Sequence, residues 1–326
     1  MKLLFADLIF FVAGITSAMG QENPSWLLRT PLKKPVKDLV IGITQHNAGA
    51  DGYGSAYEKA FRAYAQQLGV QTVVLDAQGD PTKQISQIRN LIAQRVDAMI
   101  VWPVSAKGAV PLVKQAHEAG IPVIITNSEI DASGVQYTAC YSGPDVYKEG
   151  QTAGKLLGTA LAGHGNVVVI SGLPGYASSI LREKGFSDLI QAEYPDIKIL
   201  ATEPGNWNRE QAQSIMEDFL TRFGDKINGV YTASGDMGVG ALNAIRSAGK
   251  QPNIKIVDAA LFKDVYDAIK AGTYYGSVEQ SPVSDAEGAL RAAIEVAEGE
   301  NVPKKIYFDT PPISAENIAN VTAPSF

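Results

Sequence analysis

From Asp38 onward the chain alternates short, β-rich apolar runs with amphipathic segments. LVIGIT precedes a helical pattern at residues 55–68, VQTVVLD precedes TKQISQIRNLIAQ, AMIVWP precedes AVPLVKQAHEAG, and IPVIIT follows. The series resumes with GKLLGTALA, NVVVIS, LREKGFSDLIQAEY, IKILATE, REQAQSIMEDFLTRF, GVYTAS, GALNAIRSAG and IKIVDAA. An apolar run without alternation has no polar face to turn to water, so it must be covered on both sides. Such strands, spaced by helices of about 10–15 residues, predict an α/β fold of parallel sheets flanked by helices.

The pattern also echoes itself. VDAMIVWPVSAKGAVPLVKQAHEAG followed by IPVIIT matches INGVYTASGDMGVGALNAIRSAG followed by IKIVDA: strand, polar turn at Ser105 or Ser234, helix, Ala-Gly stop, strand. Similar βαβ units in the two halves predict two Rossmann-like lobes. In open α/β sheets ligands sit beyond the carboxyl ends of the strands, so two facing lobes would line a cleft with strand-to-helix loops.

Composition narrows the partners. The chain has 326 residues, 45% hydrophobic, with a net charge of -6 and a pI near 5.2, which makes nucleic acid a poor partner. Lys2, the run LIFFVAGI and the small-x-small site Ala18-Met19-Gly20 predict a signal peptide over residues 1–20, hence export to the periplasm. The apolar run is too short to span a bilayer. With Cys140 alone, no intrachain disulfide is available.

The loops carry the candidate chemistry. NAGADGYGS spaces its glycines in the wrong order for a dinucleotide fingerprint and lacks the Gly-Lys-Ser/Thr of a P-loop, and Asp51 would repel a phosphate. It presents instead Asp51 and Tyr53 beside Gln45 and His46: an aromatic face, a carboxylate and an amide, which suit a polyhydroxylated ligand. Further strand-end loops offer Asn127 and Glu129, Trp207 between two asparagines, Ser234 with Asp236, Asp258, and Glu279 with Gln280. No catalytic constellation appears: His46, His117 and His164 have no metal-ligand spacing, and neither Gly-x-Ser-x-Gly nor HExxH occurs. The reading is a binding protein with no enzyme activity, metal or cofactor.

The runs VVLDAQGDPTKQISQIRNLIAQRVDAMIVWP, HEAGIPVIITN, REKGF and SGDMGVGALNAIRSAGK resemble the periplasmic sugar-binding proteins of the ribose/galactose type, type I solute receptors of bacterial ABC importers. The resemblance implies lobes joined by three crossing strands and closing over one sugar by a hinge motion. It also implies an ABC permease and ATPase at the inner membrane as partners of a monomeric receptor. Expected boundaries are an N-terminal extension at 21–36, an N-lobe of 37–141 plus 281–309, and a C-lobe of 142–280 plus 310–326.

Carried over by position, the resemblance puts the first-loop aromatic at Tyr53, the second-lobe stacking aromatic at Trp207, the start of the Asn-Asp run at Ser234, and the hinge glutamine at Gln280. The family's Asp-Arg pair is Asn127-Ser128 here, and its second-lobe arginine falls near Ile180, with Arg182 shifted along the helix. The Asp after the IKIV strand is displaced to Asp258. A cleft without guanidinium and lined by Asp51, Glu129, Asp236, Asp258 and Glu279 is therefore expected. It favours a neutral sugar or sugar alcohol first and an amino sugar second. A periplasmic sugar-processing enzyme is the alternative of a different class.

Overall fold

The computed structural model describes residues 35–49 and 52–326. The expected signal peptide, most of the N-terminal extension, and Asp51 lie outside the described residues. In chain order the elements are β1 (Val40–Gln45), α1 (Gly52–Leu68), β2 (Gln71–Asp76), α2 (Pro81–Gln94), β3 (Ala98–Val101), α3 (Val110–Glu118), β4 (Val123–Thr126) and β5 (Cys140–Pro144). The second series is α4 (Val146–Ala160), β6 (His164–Ser171), α5 (Ala177–Glu193), β7 (Asp196–Pro204), α6 (Arg209–Phe223), β8 (Gly229–Thr232), α7 (Gly235–Ser247), β9 (Lys255–Ala259), α8 (Lys263–Lys270) and β10 (Gly276–Val278). The chain then returns through α9 (Pro282–Ala297), β11 (Lys305–Phe308) and β12 (Pro312–Ser314).

These strands form two sheets, ordered β11-β5-β4-β3-β1-β2 and β12-β10-β9-β8-β6-β7. All pairs are parallel except β12 against β10. The two orders are the same doubly wound order, and the echoed units β3-α3-β4 and β8-α7-β9 hold equivalent places in it. The β1, β3, β4, β8 and β9 interiors are buried, as covered parallel strands require. Each large apolar side chain so buried contributes about 1.5–3 kcal/mol.

Helix starts are marked chemically. Asp80, Asp145, Asn208, Ser234 and Ser281 each cap a helix by accepting a backbone N–H, and Pro81 and Pro282 open their helices where no N–H is needed. The chain leaves the first sheet after Pro144 and leaves the second after Val278. It re-enters the first through α9 and β11, and returns to the second at β12. The first exit corrects the expected boundary at Tyr141: β5 continues through Ser142, Gly143 and Pro144, which pair with Ile306, Tyr307 and Phe308 of β11.

One close contact in the second lobe has a direct bearing on function. A Cβ on Gly150 of α4 would lie 2.1 Å from the Arg182 carbonyl oxygen, and one on Gly185 of α5 would lie 2.0 Å from the Tyr147 oxygen. Only glycine lets the two helices approach this closely, and the approach sets Arg182 against Glu149.

Candidate ligand site between the lobes

At the carboxyl ends of the strands lies a cavity of about 70 Å³, lined from the first lobe by His46, Tyr53, Trp102 and Asn127. From the second lobe come Tyr176, Ser178, Arg182, Trp207, Ser234, Asp236, Ala260 and Phe262, with Gln280 at the crossing. Six of these thirteen lining residues carry aromatic rings, and most of those rings touch one another. Tyr53 meets Trp102 edge-on at 6.1 Å between centroids, His46 meets Tyr176 at 5.0 Å, and Tyr176 meets Trp207 at 6.0 Å. Trp102 Nε1 donates to Tyr176 Oη at 2.5 Å, so a hydrogen bond joins the lobes on one side of the cavity.

The loops adopt the backbone that aims these groups. Asn127, Trp207 and Ala260 all have positive φ, at 60°, 61° and 71°. Left-handed conformations at non-glycine residues store strain and cluster at functional sites. The Trp207 indole is held closely: a Cβ on Gly172 would lie 2.2 Å from its Cη2.

A buried polar chain crosses between the lobes. Arg182 Nε donates to Glu149 Oε2 at 2.7 Å, its Nη1 to the Ala233 oxygen at 3.0 Å, and its Nη2 to Gln280 Oε1 at 2.5 Å. Gln280 Nε2 donates to Tyr53 Oη at 3.0 Å, which donates to Asp285 Oδ2 at 3.0 Å. Asp285 also accepts from Asn127 Nδ2 at 2.7 Å and from Thr126 Oγ1 at 3.0 Å.

The two charged side chains of the lining, Arg182 and Asp236, are each paired. Burial works to lower the Arg182 guanidinium, but the Glu149 carboxylate beside it, together with Tyr231 and Tyr53, offsets this and holds it above its usual range. Asp236 is bound by Arg209 at 2.6 Å, which also reaches Asp264 at 2.9 Å. Burial lowers His46 to about 4, against the pull of Asp76, so the ring is neutral at pH 7. Burial raises Asp285 to about 7, opposed by its bonds from Asn127, Tyr53 and Thr126. Two buried polar atoms of the lining, Ser178 Oγ and His46 Nε2, have no hydrogen-bond partner among the described residues.

Of the residues singled out from sequence, Tyr53, Asn127, Trp207, Ser234, Asp236 and Gln280 come together at this cavity. Glu129 does not: its carboxylate is bound by Lys305 Nζ at 2.9 Å, on the β11 side of the first sheet. Asp258 does not either. It is fully buried in β9, where Ser277 Oγ and Tyr274 Oη donate to it at 2.5 Å, and burial raises it to about 7. Gln45 is buried among the core residues because strand alternation puts it on the face of Ile41 and Ile43 rather than at the cavity, and its amide atoms have no partner among the described residues. Glu279 lines an outer groove instead.

The expected lack of guanidinium is also corrected. Ile180, where alignment by spacing placed the arginine, is 53% exposed, whereas Arg182, two residues on, is buried and lines the cavity. Two residues along a helix is about 200° around its axis, so the face that meets the cavity is the one carrying Arg182. Sequence reasoning missed Trp102, Tyr176, Phe262 and Asp285. Trp102 closes the run AMIVW and Tyr176 follows the turn LPG, both visible as strand-end aromatics. Asp285 lies inside a helix, and only tertiary packing shows what it binds.

Comparison with known proteins agrees with this architecture. The chain is 32% identical over 282 residues to the xylitol-binding protein of Mycolicibacterium smegmatis, covering 85% of this chain and 78% of that one. It is 30% identical to the galactofuranose-binding protein of Escherichia coli, covering 90% of each. An ABC transporter solute-binding protein of Bacillus halodurans, solved with bound myo-inositol, superposes with a TM-score of 0.81 at 25% identity, covering 88% of this chain and 98% of that chain. Residues 41–301 match the family described as periplasmic binding protein domain. The two doubly wound lobes, the lining at their strand ends and this match over most of the chain agree: the protein belongs to the periplasmic binding protein family, whose members bind substrates rather than transform them.

Proposed function

We propose that this protein is the solute-binding component of an ABC importer and takes a neutral sugar or sugar alcohol into the interlobe cavity. The observation that carries the ligand class is the combination of aromatic walls with paired charges. Arg182 is balanced by Glu149, Asp236 by Arg209, and His46 is neutral. Aromatic faces stack on the C–H faces of a polyol, while Ser178 Oγ and His46 Nε2 are positioned to bond its hydroxyls. A buried polar atom left without a partner costs about 1–3 kcal/mol, which a ligand hydroxyl recovers on binding.

The relatives named for xylitol and galactofuranose, and the structure solved with bound myo-inositol, likewise concern neutral polyhydroxy compounds. The amino-sugar reading depended on free carboxylates, and the pairing of Asp236 with Arg209 and of Glu129 with Lys305 removes two of them. On this reading the lobes close over the ligand by bending at the crossings, and the mature monomer delivers it in the periplasm to a permease and its ATPase. No helix among the described residues is long and apolar enough to cross a membrane, and the expected signal peptide at residues 1–20 would serve export.

A thermal-shift screen of the mature protein against xylitol, myo-inositol, D-galactose, D-glucosamine and D-glucuronate tests the reading, since a ligand of the native state raises the melting temperature by mass action. At least one neutral compound should raise it in a saturable manner. A response confined to the charged sugars contradicts the proposal.

A further inference from the structure

Tyr53 and Phe262 stand on opposite lobes and both line the cavity, and one ring behind them touches both. The Phe326 centroid lies 5.8 Å from Tyr53 and 4.9 Å from Phe262, edge-on at 88° and 74°. Phe326 is tied to the second lobe: its backbone oxygen accepts from Lys263 N–H at 2.7 Å, and the tail before it pairs through β12 with β10. Toward the first lobe it fits closely, because a Cβ on Gly52 of α1 would lie 3.1 Å from the Phe326 Cβ. Thr322–Ser325 run along a groove whose facing wall is Ala56, Ala60 and Tyr64 of α1.

We infer that Phe326 is an interlobe latch, a positioning residue in the tail that sets ligand affinity by holding the closed arrangement. The inference rests on the closing-cleft reading given above. The contact of Phe326 with Phe262 lies within one lobe and survives opening. Its contacts with Tyr53 and Gly52 exist only while the lobes are together. An interaction made in one of two states shifts the balance between them by its own strength, and an edge-on aromatic pair corresponds to about a 2- to 10-fold shift. Phe326 backs the wall rather than lining the cavity. Its removal therefore weakens all bound ligands by a similar factor, through faster dissociation.

Two variants approach the contact from opposite sides: Phe326→Ala removes the ring, and Gly52→Val displaces it from the first lobe. Hydrogen exchange of the ligand-free full chain is read at peptides covering residues 53–61 and 262–270. Both variants are expected to speed exchange in both peptides while circular dichroism shows the fold retained, with Phe326→Leu intermediate. Faster exchange at 262–270 alone, or no change, overturns the latch and leaves Phe326 as packing within its own lobe. Stopped-flow dissociation of the tightest binder among xylitol, myo-inositol and D-galactose should be about 2- to 10-fold faster in Phe326→Ala, and an unchanged rate counts against the latch. If none of the three binds the native protein, the sugar reading falls, while the exchange measurement still decides the latch.

Discussion

Arg182 Nη2 donates to Gln280 Oε1 at 2.5 Å, tying a helix of the second lobe to the segment where the chain crosses back to the first. Because Gln280 passes the connection to Tyr53 and Asp285, the polar side of the cavity is one continuous buried network.

Removing Arg182 breaks that network at its charged end. Arg182→Leu leaves Glu149, whose Oε1 already has no partner among the described residues, as an uncompensated buried carboxylate. A broken buried pair of this kind costs about 3–5 kcal/mol, whereas replacing both partners by apolar residues costs much less. Denaturant unfolding should therefore show Arg182→Leu to be less stable than the double variant Glu149→Leu/Arg182→Leu.

Gly172→Ala tests how the Trp207 indole is held. The added methyl would lie 2.2 Å from Cη2 and 2.3 Å from Ser179 Oγ, so the ring must move. Overpacking of this kind costs about 1–3 kcal/mol. The expected result is altered tryptophan emission and weaker binding of the tightest neutral sugar or polyol, with the fold retained in circular dichroism.

The buried carboxyls predict a pH dependence. Asp258 keeps its proton in the folded protein up to about 7, while the unfolded chain releases it near 3.8. The folded state thus binds more protons between those values, and this group's contribution to stability falls as pH rises from about 4 to about 7. Asp285 slopes the same way, and His46, lowered to about 4, slopes the opposite way up to about 6.5. Comparing native protein with Asp258→Asn isolates the first term: the stability of the variant relative to native should improve across pH 4 to 7.

How much of this was legible in the sequence follows the physics of each feature. Unbroken apolar runs such as AMIV and VIIT mark covered parallel strands, and the matched units around Ser105 and Ser234 mark two lobes of one order. Strand-end residues such as Tyr53, Trp207 and Ser234 were placed at the cavity because topology delivers every strand end there. Orientation was not legible. Arg182 and Ile180 differ by two helical positions, and Asp258 and Glu129 differ from true lining residues only in which neighbours, Ser277 and Tyr274 or Lys305, turn toward them. Such pairings span long stretches of chain and leave no local pattern.

The central claim is that one neutral polyhydroxy ligand is held between aromatic walls from both lobes. Calorimetry of the tightest neutral sugar or polyol against native protein, Trp102→Leu and Trp207→Ala tests it most directly, since these indoles come from opposite lobes. Loss of about 1–3 kcal/mol of stacking and apolar contact predicts binding roughly 5- to 150-fold weaker in each folded variant. Undiminished affinity in either one would place the ligand outside this cavity.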